Sequence, residues 1–174
     1  MTTSNQNTVR TLIVISMMLL VAFTRMLPHA PNFTAVMAVA LFGGAKFKRT
    51  SFAILIPLLV MLVTDIFIGF YSLMPVVYGC IALTTLMGMY AGKKSSALFI
   101  IGASLLSSII FFLATNAAVW YHDPLHTQNV AGLIACYDEA IPFFRNQLFG
   151  DLFFNFVLFG SYRLVKAKYP VMAR

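Results

Sequence analysis

The sequence predicts an all-α membrane protein: a single membrane domain over residues 1–174, folded as six transmembrane helices with both termini on the cytoplasmic side. Three observations predict it. Hydrophobic residues make up 60% of the chain and charged residues 10%, with a mean hydropathy of +0.88, far from a water-soluble domain. The apolar residues gather in six runs, 11–27, 33–47, 51–70, 75–92, 96–119 and 141–165, most of them near the ~20 residues that a helix needs to cross ~30 Å of hydrocarbon. The basic residues fall in short clusters between these runs or near their ends, and six crossings would place ten of the twelve on one side.

In the first run, Arg10 precedes an apolar core as in a secretory signal. Ala22-Phe23-Thr24-Arg25-Met26 offers no small-residue cleavage site, so the run is expected to stay as a helix. The second run, residues 33–47, would extend only ~22 Å as a helix, and Gly43-Gly44 weakens its end. Charge decides the matter. With six crossings, Arg10, the Lys46/Lys48/Arg49 cluster, Lys93/Lys94 and the tail Arg163, Lys166, Lys168 and Arg174 share one side, which the positive-inside rule makes cytoplasmic. Without the second crossing, the Lys46/Lys48/Arg49 cluster and Lys93/Lys94 would no longer share a side with Arg10. The outer connections are then 28–32, 71–74 and the long 120–140. The last carries Val130, Leu133, Ile134 and Tyr137 at i, i+3, i+4, i+7, which predicts a short amphipathic helix along the outer interface, either a passive connector or a lid. There is no repeat of fixed period and no linker.

The net charge of +7 does not make a nucleic-acid surface, because the basic residues are divided among short clusters. The two cysteines, Cys80 and Cys136, are too far apart in sequence for a disulfide framework or a zinc site of closely spaced ligands. No phosphate-binding glycine loop, His-Glu-x-x-His or serine with a nearby base occurs, which excludes nucleotide hydrolysis within the chain.

Polar groups inside spans are expensive, so each needs a partner or a task. Arg25, Asp65, Cys80, Asn116 and Arg145 all fall near the outer ends of their runs, with His29 on the stiff Pro28-to-Pro31 connection. Similar depth on different segments predicts the lining of a cavity open to the outside. Gln147, Asp151 and Asn155 recur every four residues and share one helix face, which predicts interhelical hydrogen bonding with Asp151 paired to Arg25 or Arg145. His122 and His126 have Pro124 between them, so no metal site is expected there. Cys80 has Thr84 and Met87 at i+4 and i+7. It reads either as a small buried hydrophobe or as a thiolate ligand to a soft or borderline metal. One cysteine cannot hold a bare ion, so the metal would arrive in a macrocycle, as haem or a corrinoid.

Leu27-Pro28-His29-Ala30-Pro31-Asn32-Phe33-Thr34, Ala40-Leu41-Phe42-Gly43-Gly44-Ala45 and Ile141-Pro142-Phe143-Phe144-Arg145-Asn146-Gln147-Leu148-Phe149-Gly150-Asp151-Leu152 resemble small bacterial six-span proteins related to the substrate-binding S-components of energy-coupling-factor vitamin transporters. Tyr78-Gly79-Cys80 resembles the cobalt-ligating cysteine of the BtuM family, solitary importers of vitamin B12. The resemblance implies an S-component-like bundle in the bacterial inner membrane that takes cobalamin from a periplasmic supply as its transported ligand. Cys80 would be an axial ligand of cobalt, and its thiolate would assist displacement of cyanide from cyanocobalamin. His29, Asp65, Thr84, Met87, Asn116 and Arg145 are expected to face the ligand by their position. The first helix lacks the Ala-x-x-x-Ala pattern with which S-components dock on an energising module, which favours a solitary mode. The competing expectations are an S-component for another vitamin or metal, dependent on such a module, and a haem-binding membrane protein.

Overall fold

Long uncharged runs become long helices, and the punctuation between them sets their ends. The computed structural model describes residues 3–94, 96–122 and 124–169, so Arg174 of the basic tail lies outside the described residues. The chain order is α1 (Thr3–Ala22), continued by a 3₁₀ turn at Phe23–Met26, then α2 (Val36–Lys46), α3 (Thr50–Ile68), α4 (Met74–Lys94), α5 (Ala97–His122) and α6 (Val130–Lys168). Among the described residues there is no strand. Five of the helices, all but α2, are long and apolar enough to cross a membrane. Leu20, Ile66, Phe67, Leu98, Phe156 and Leu164 are among the many large side chains on their outer surfaces, an apolar belt that suits lipid and not water.

α2 is the axis of the bundle. From Val36 to Gly44 every residue is buried, as expected of a helix that is apolar all round. It packs on all five other helices, most extensively on α4. Small residues permit the approach. A Cβ added at Gly44 would collide with the Thr85 carbonyl oxygen, and one at Gly88 with the Leu41 carbonyl oxygen. The ring of Pro57 on α3 fills the space left by Gly43, with Cγ 2.6 Å from where a Cβ would lie.

The second run is therefore shorter as a helix than its hydropathy suggests. Eleven residues rise only ~16 Å, about half the hydrocarbon thickness. Pro28, Pro31 and Asn32, the last at φ 61°, keep residues 27–35 irregular. Even so, the segment traverses the bundle: Leu27 follows the last turn of α1, and the Lys46 carbonyl accepts a hydrogen bond from Arg10 Nη2 near its first turns, at 3.2 Å.

The largest departure from expectation is in α6. The sequence predicts a separate interfacial helix before a span starting at 141, whereas a single helix of 39 residues starts at Val130. Asn129 caps it, its side-chain oxygen accepting from the Gly132 N–H at 2.9 Å. Pro142 lies on an exposed part of the helix and does not end it. The face is also different. Val130 and Ile134 are 73% and 55% exposed, while Gly132, Cys136 and Ala140 are buried. This early part of α6 packs along the end of α5, where Tyr137 Oη donates to the Leu113 carbonyl at 2.6 Å.

The glycine contacts make a direct prediction. Gly88→Val should lower stability in detergent by about 3 kcal/mol because backbone cannot yield to it. Gly102→Val, with nothing within 4 Å of its added Cβ, should shift stability by less than ~1 kcal/mol. Thermal unfolding of the two purified variants separates them.

Candidate functional site

At the end of the bundle where α1 gives way to its 3₁₀ turn, Arg25 reaches across to α3. Its Nη1 lies 2.8 Å from Asp65 Oδ1 and donates to Thr64 Oγ1 at 2.6 Å. The other carboxylate oxygen, Asp65 Oδ2, accepts from Tyr78 Oη of α4 at 2.9 Å. Asp65 is fully buried and the Arg25 side chain is 11% exposed, so each charge depends on the other. Tyr71, in the α3–α4 connection, also accepts from the Arg25 guanidinium. Burial, and then the Asp65 carboxylate, push the Tyr71 hydroxyl above its ordinary range, so it stays protonated. These five side chains lock α1, α3 and α4 together.

Cys80 lies at this end but on a different face. Two residues after Tyr78, it points about 200° further round α4 at 3.6 residues per turn. It is 6% exposed and belongs to the buried apolar cluster that includes Ala35, Val36 and Met37. Its level follows from the packing of α2 on α4. Thr84 contacts Met37, Gly88 faces Leu41 and Gly92 faces Ala45, a constant offset of 47 that requires the two helices to run in parallel. Cys80, four residues before Thr84, lies about one helical turn from the level of Met37, close to the start of α2.

The other expected site residues do not gather around it. Thr84 shares its face one turn deeper, where its hydroxyl donates to Met37 Sδ at 3.3 Å. Met87 lines a groove between α4 and α5 toward the Lys93/Lys94 end. His29 is exposed, with Nδ1 2.6 Å from the Leu27 carbonyl oxygen, and Arg145 is also exposed. Asn116 Nδ2 donates to the Phe112 carbonyl of its own helix at 2.8 Å. Thus Arg25 and Asp65 form an internal ion pair, and Cys80 is a separate, covered thiol. Neither cysteine is in a disulfide, and no group of three or more His, Cys, Asp or Glu able to hold a metal ion occurs among the described residues.

The polar stripe of α6 does face the bundle, but Asp151 pairs with hydroxyl and backbone groups in place of the expected arginine. It accepts from Ser108 Oγ at 2.7 Å, from the Gln147 side chain and from the Ala38 backbone N–H in the first turn of α2. Gln147 Nε2 lies 3.2 Å from the Ser108 carbonyl, and Asn155 Nδ2 donates to Ser104 Oγ at 2.9 Å. Sequence reasoning missed Thr64, Tyr71 and Tyr78 around Asp65, and Ser104 and Ser108 opposite Asp151. The signal was there in the serines at 104, 107 and 108, which repeat on one face of an otherwise apolar α5.

The Arg25–Asp65 pair yields a double-mutant prediction. Arg25→Met strands a buried carboxylate and should cost about 3–5 kcal/mol, whereas adding Asp65→Leu should recover much of that loss. A thermal unfolding cycle of the single and double variants reads the coupling.

No curated protein and no solved structure matches the chain. One family model matches residues 5–172, almost the whole bundle with both polar clusters and Cys80. The chain therefore belongs to the family described as "Family of unknown function (DUF6580)".

Proposed function

We propose that the protein is a solitary inner-membrane carrier of cobalamin, binding it from the side opposite the basic clusters with the Cys80 thiolate as axial ligand of cobalt. Both termini then lie on the cytoplasmic side, and the segment 27–46 completes the sixth crossing as half loop and half helix. The observation that carries this reading is the level of Cys80. It sits close to the start of α2, within the Tyr78-Gly79-Cys80 sequence, where irregular chain leads into the bundle. Irregular backbone at depth in a membrane is tolerated where it is enclosed by protein or lines a cavity, and transporters use such breaks for their binding sites. The absence of a metal-binding cluster among the described residues fits a metal that arrives within a macrocycle.

Because Cys80 is 6% exposed, the ligand must displace neighbouring chain to reach it. Coordination takes the thiolate, so binding releases a proton and strengthens as pH rises. Purified protein mixed with cobalamin should show a thiolate-dependent shift in the corrin absorption bands. Cys80→Ser should abolish that shift, and it should reduce uptake in cells lacking other importers. An unchanged spectrum in Cys80→Ser overturns the ligand role. A spectrum with haem and none with cobalamin transfers the site to a haem-binding protein.

A further inference from the structure

At the end of the bundle that carries Lys93 and Lys94, α4 and α5 diverge around an open groove of about 580 Å³. Ala91, Gly102 and Ala103 in its lining are small and leave it room, and the lining is mostly apolar. Tyr90 of α4 and Phe99 of α5 form the mouth, 60% and 46% exposed. Lys94 Nζ lies over both rings, 5.7 Å from the Tyr90 centroid and 5.8 Å from the Phe99 centroid. An apolar slot is thus joined to an ammonium group held above its opening, with exposed Lys93 beside it.

We propose that this groove binds an acyl chain of an anionic phospholipid from the surrounding bilayer, with the lipid phosphate on Lys93 and Lys94. The arrangement matches the amphipathic order of a lipid. The slot runs toward the membrane interior along Leu86 and Leu106, while aromatic and basic groups mark the interface, where rings and lysines concentrate. Basic pockets between transmembrane helices bind anionic headgroups by this pairing of charge and apolar depth. A partner helix seated in the same groove would cover the Lys94 ammonium and strip its water. A phosphate instead neutralises it in place.

The full-length protein, equilibrated with vesicles of equal phosphatidylglycerol and phosphatidylcholine and then released in mild detergent, should retain phosphatidylglycerol by native mass spectrometry. The double variant Lys93→Gln/Lys94→Gln should lower that preference by roughly 30-fold, about fivefold per lysine. Gly102→Leu should remove retained lipid of either kind, because it adds bulk to the groove lining at a position where an added Cβ meets nothing within 4 Å. Gly160→Leu, equally unobstructed but on α6, should retain lipid as the parent does. Undiminished retention in Gly102→Leu, equal loss in Gly160→Leu or an unchanged preference in the lysine variant overturns the proposal. So does a parent dimer that Gly102→Leu dissociates, which would make the groove a seat for a second copy.

Discussion

The structure turns on the first three N–H groups of α2. That helix begins inside the bundle, and its first internal backbone bond runs from the Val39 N–H to the Ala35 carbonyl, at 2.9 Å. The donors of Val36, Met37 and Ala38 therefore lack helical partners, and Ala35 at the N-cap offers no side-chain acceptor. In an apolar interior such donors are costly to leave unmet. Asp151 meets part of the need, since its carboxyl oxygen accepts from the Ala38 N–H. A buried carboxylate needs donors of its own, which Ser108 and Gln147 supply. The hydrogen-bonded seam between α5 and α6 follows from this requirement. Gly150 follows too, since a Cβ there would press on Thr34 N at 3.1 Å and lift the chain entering α2.

The opposite end of α2 is held by positive charge. The Lys46 carbonyl accepts from Arg10, as the negative end of a helix dipole favours. Lys46 Nζ sits 4.3 Å from the Tyr162 ring centroid and 4.9 Å from that of Phe159, so its charge is met by π faces where the helix ends. α2 is thus clamped at both ends and packed by glycines along its length. The segment 27–35 above it is less constrained. Its anchors include Asn146 Nδ2 donating to the Pro31 carbonyl at 3.0 Å and Phe33 tilted against Phe153 and Phe154. Segments with few buried contacts open first, which separates the fixed body of α2 from the chain before it, which can yield.

Most of the helices were legible in the sequence because uninterrupted apolar runs leave the backbone no other way to satisfy itself in lipid. The length of α2 was not legible from hydropathy, which scores Phe33 and Ala35 as helix while Pro28, Pro31 and Asn32 shape the chain before them. The face of residues 130–140 was misread for a related reason. In water the bulky apolar residues turn inward, but here Val130 and Ile134 turn out and Gly132, Cys136 and Ala140 turn in, because small residues let helices meet. The same inversion made Gln147, Asp151 and Asn155 correctly readable as an inward stripe. Their partners were not, since opposite charge suggested an arginine and three serine hydroxyls look unremarkable in a list of residues. Depth could be counted from span ends, so Asp65 and Cys80 were rightly put at one end. That they occupy different faces of the bundle needed the register between helices, which no single segment contains.

The separation of these two residues bears on how a covered thiol can be a ligand. If Cys80 shared the Arg25–Asp65 cluster, opening a path to it would break a buried ion pair and leave two charges without partners, a cost of several kcal/mol. Instead, Tyr78 ties α4 to Asp65 two residues before Cys80, about 200° round the helix from the thiol. The ion pair steadies the wall that carries the thiol, while the segment 27–35 is held by weaker contacts at Pro31 and Phe33. Under the cobalamin reading, entry moves the cover and leaves the wall in place. The thiol then meets the metal from a fixed position, and the binding energy is spent on displacing one short segment, without unpairing any buried charge.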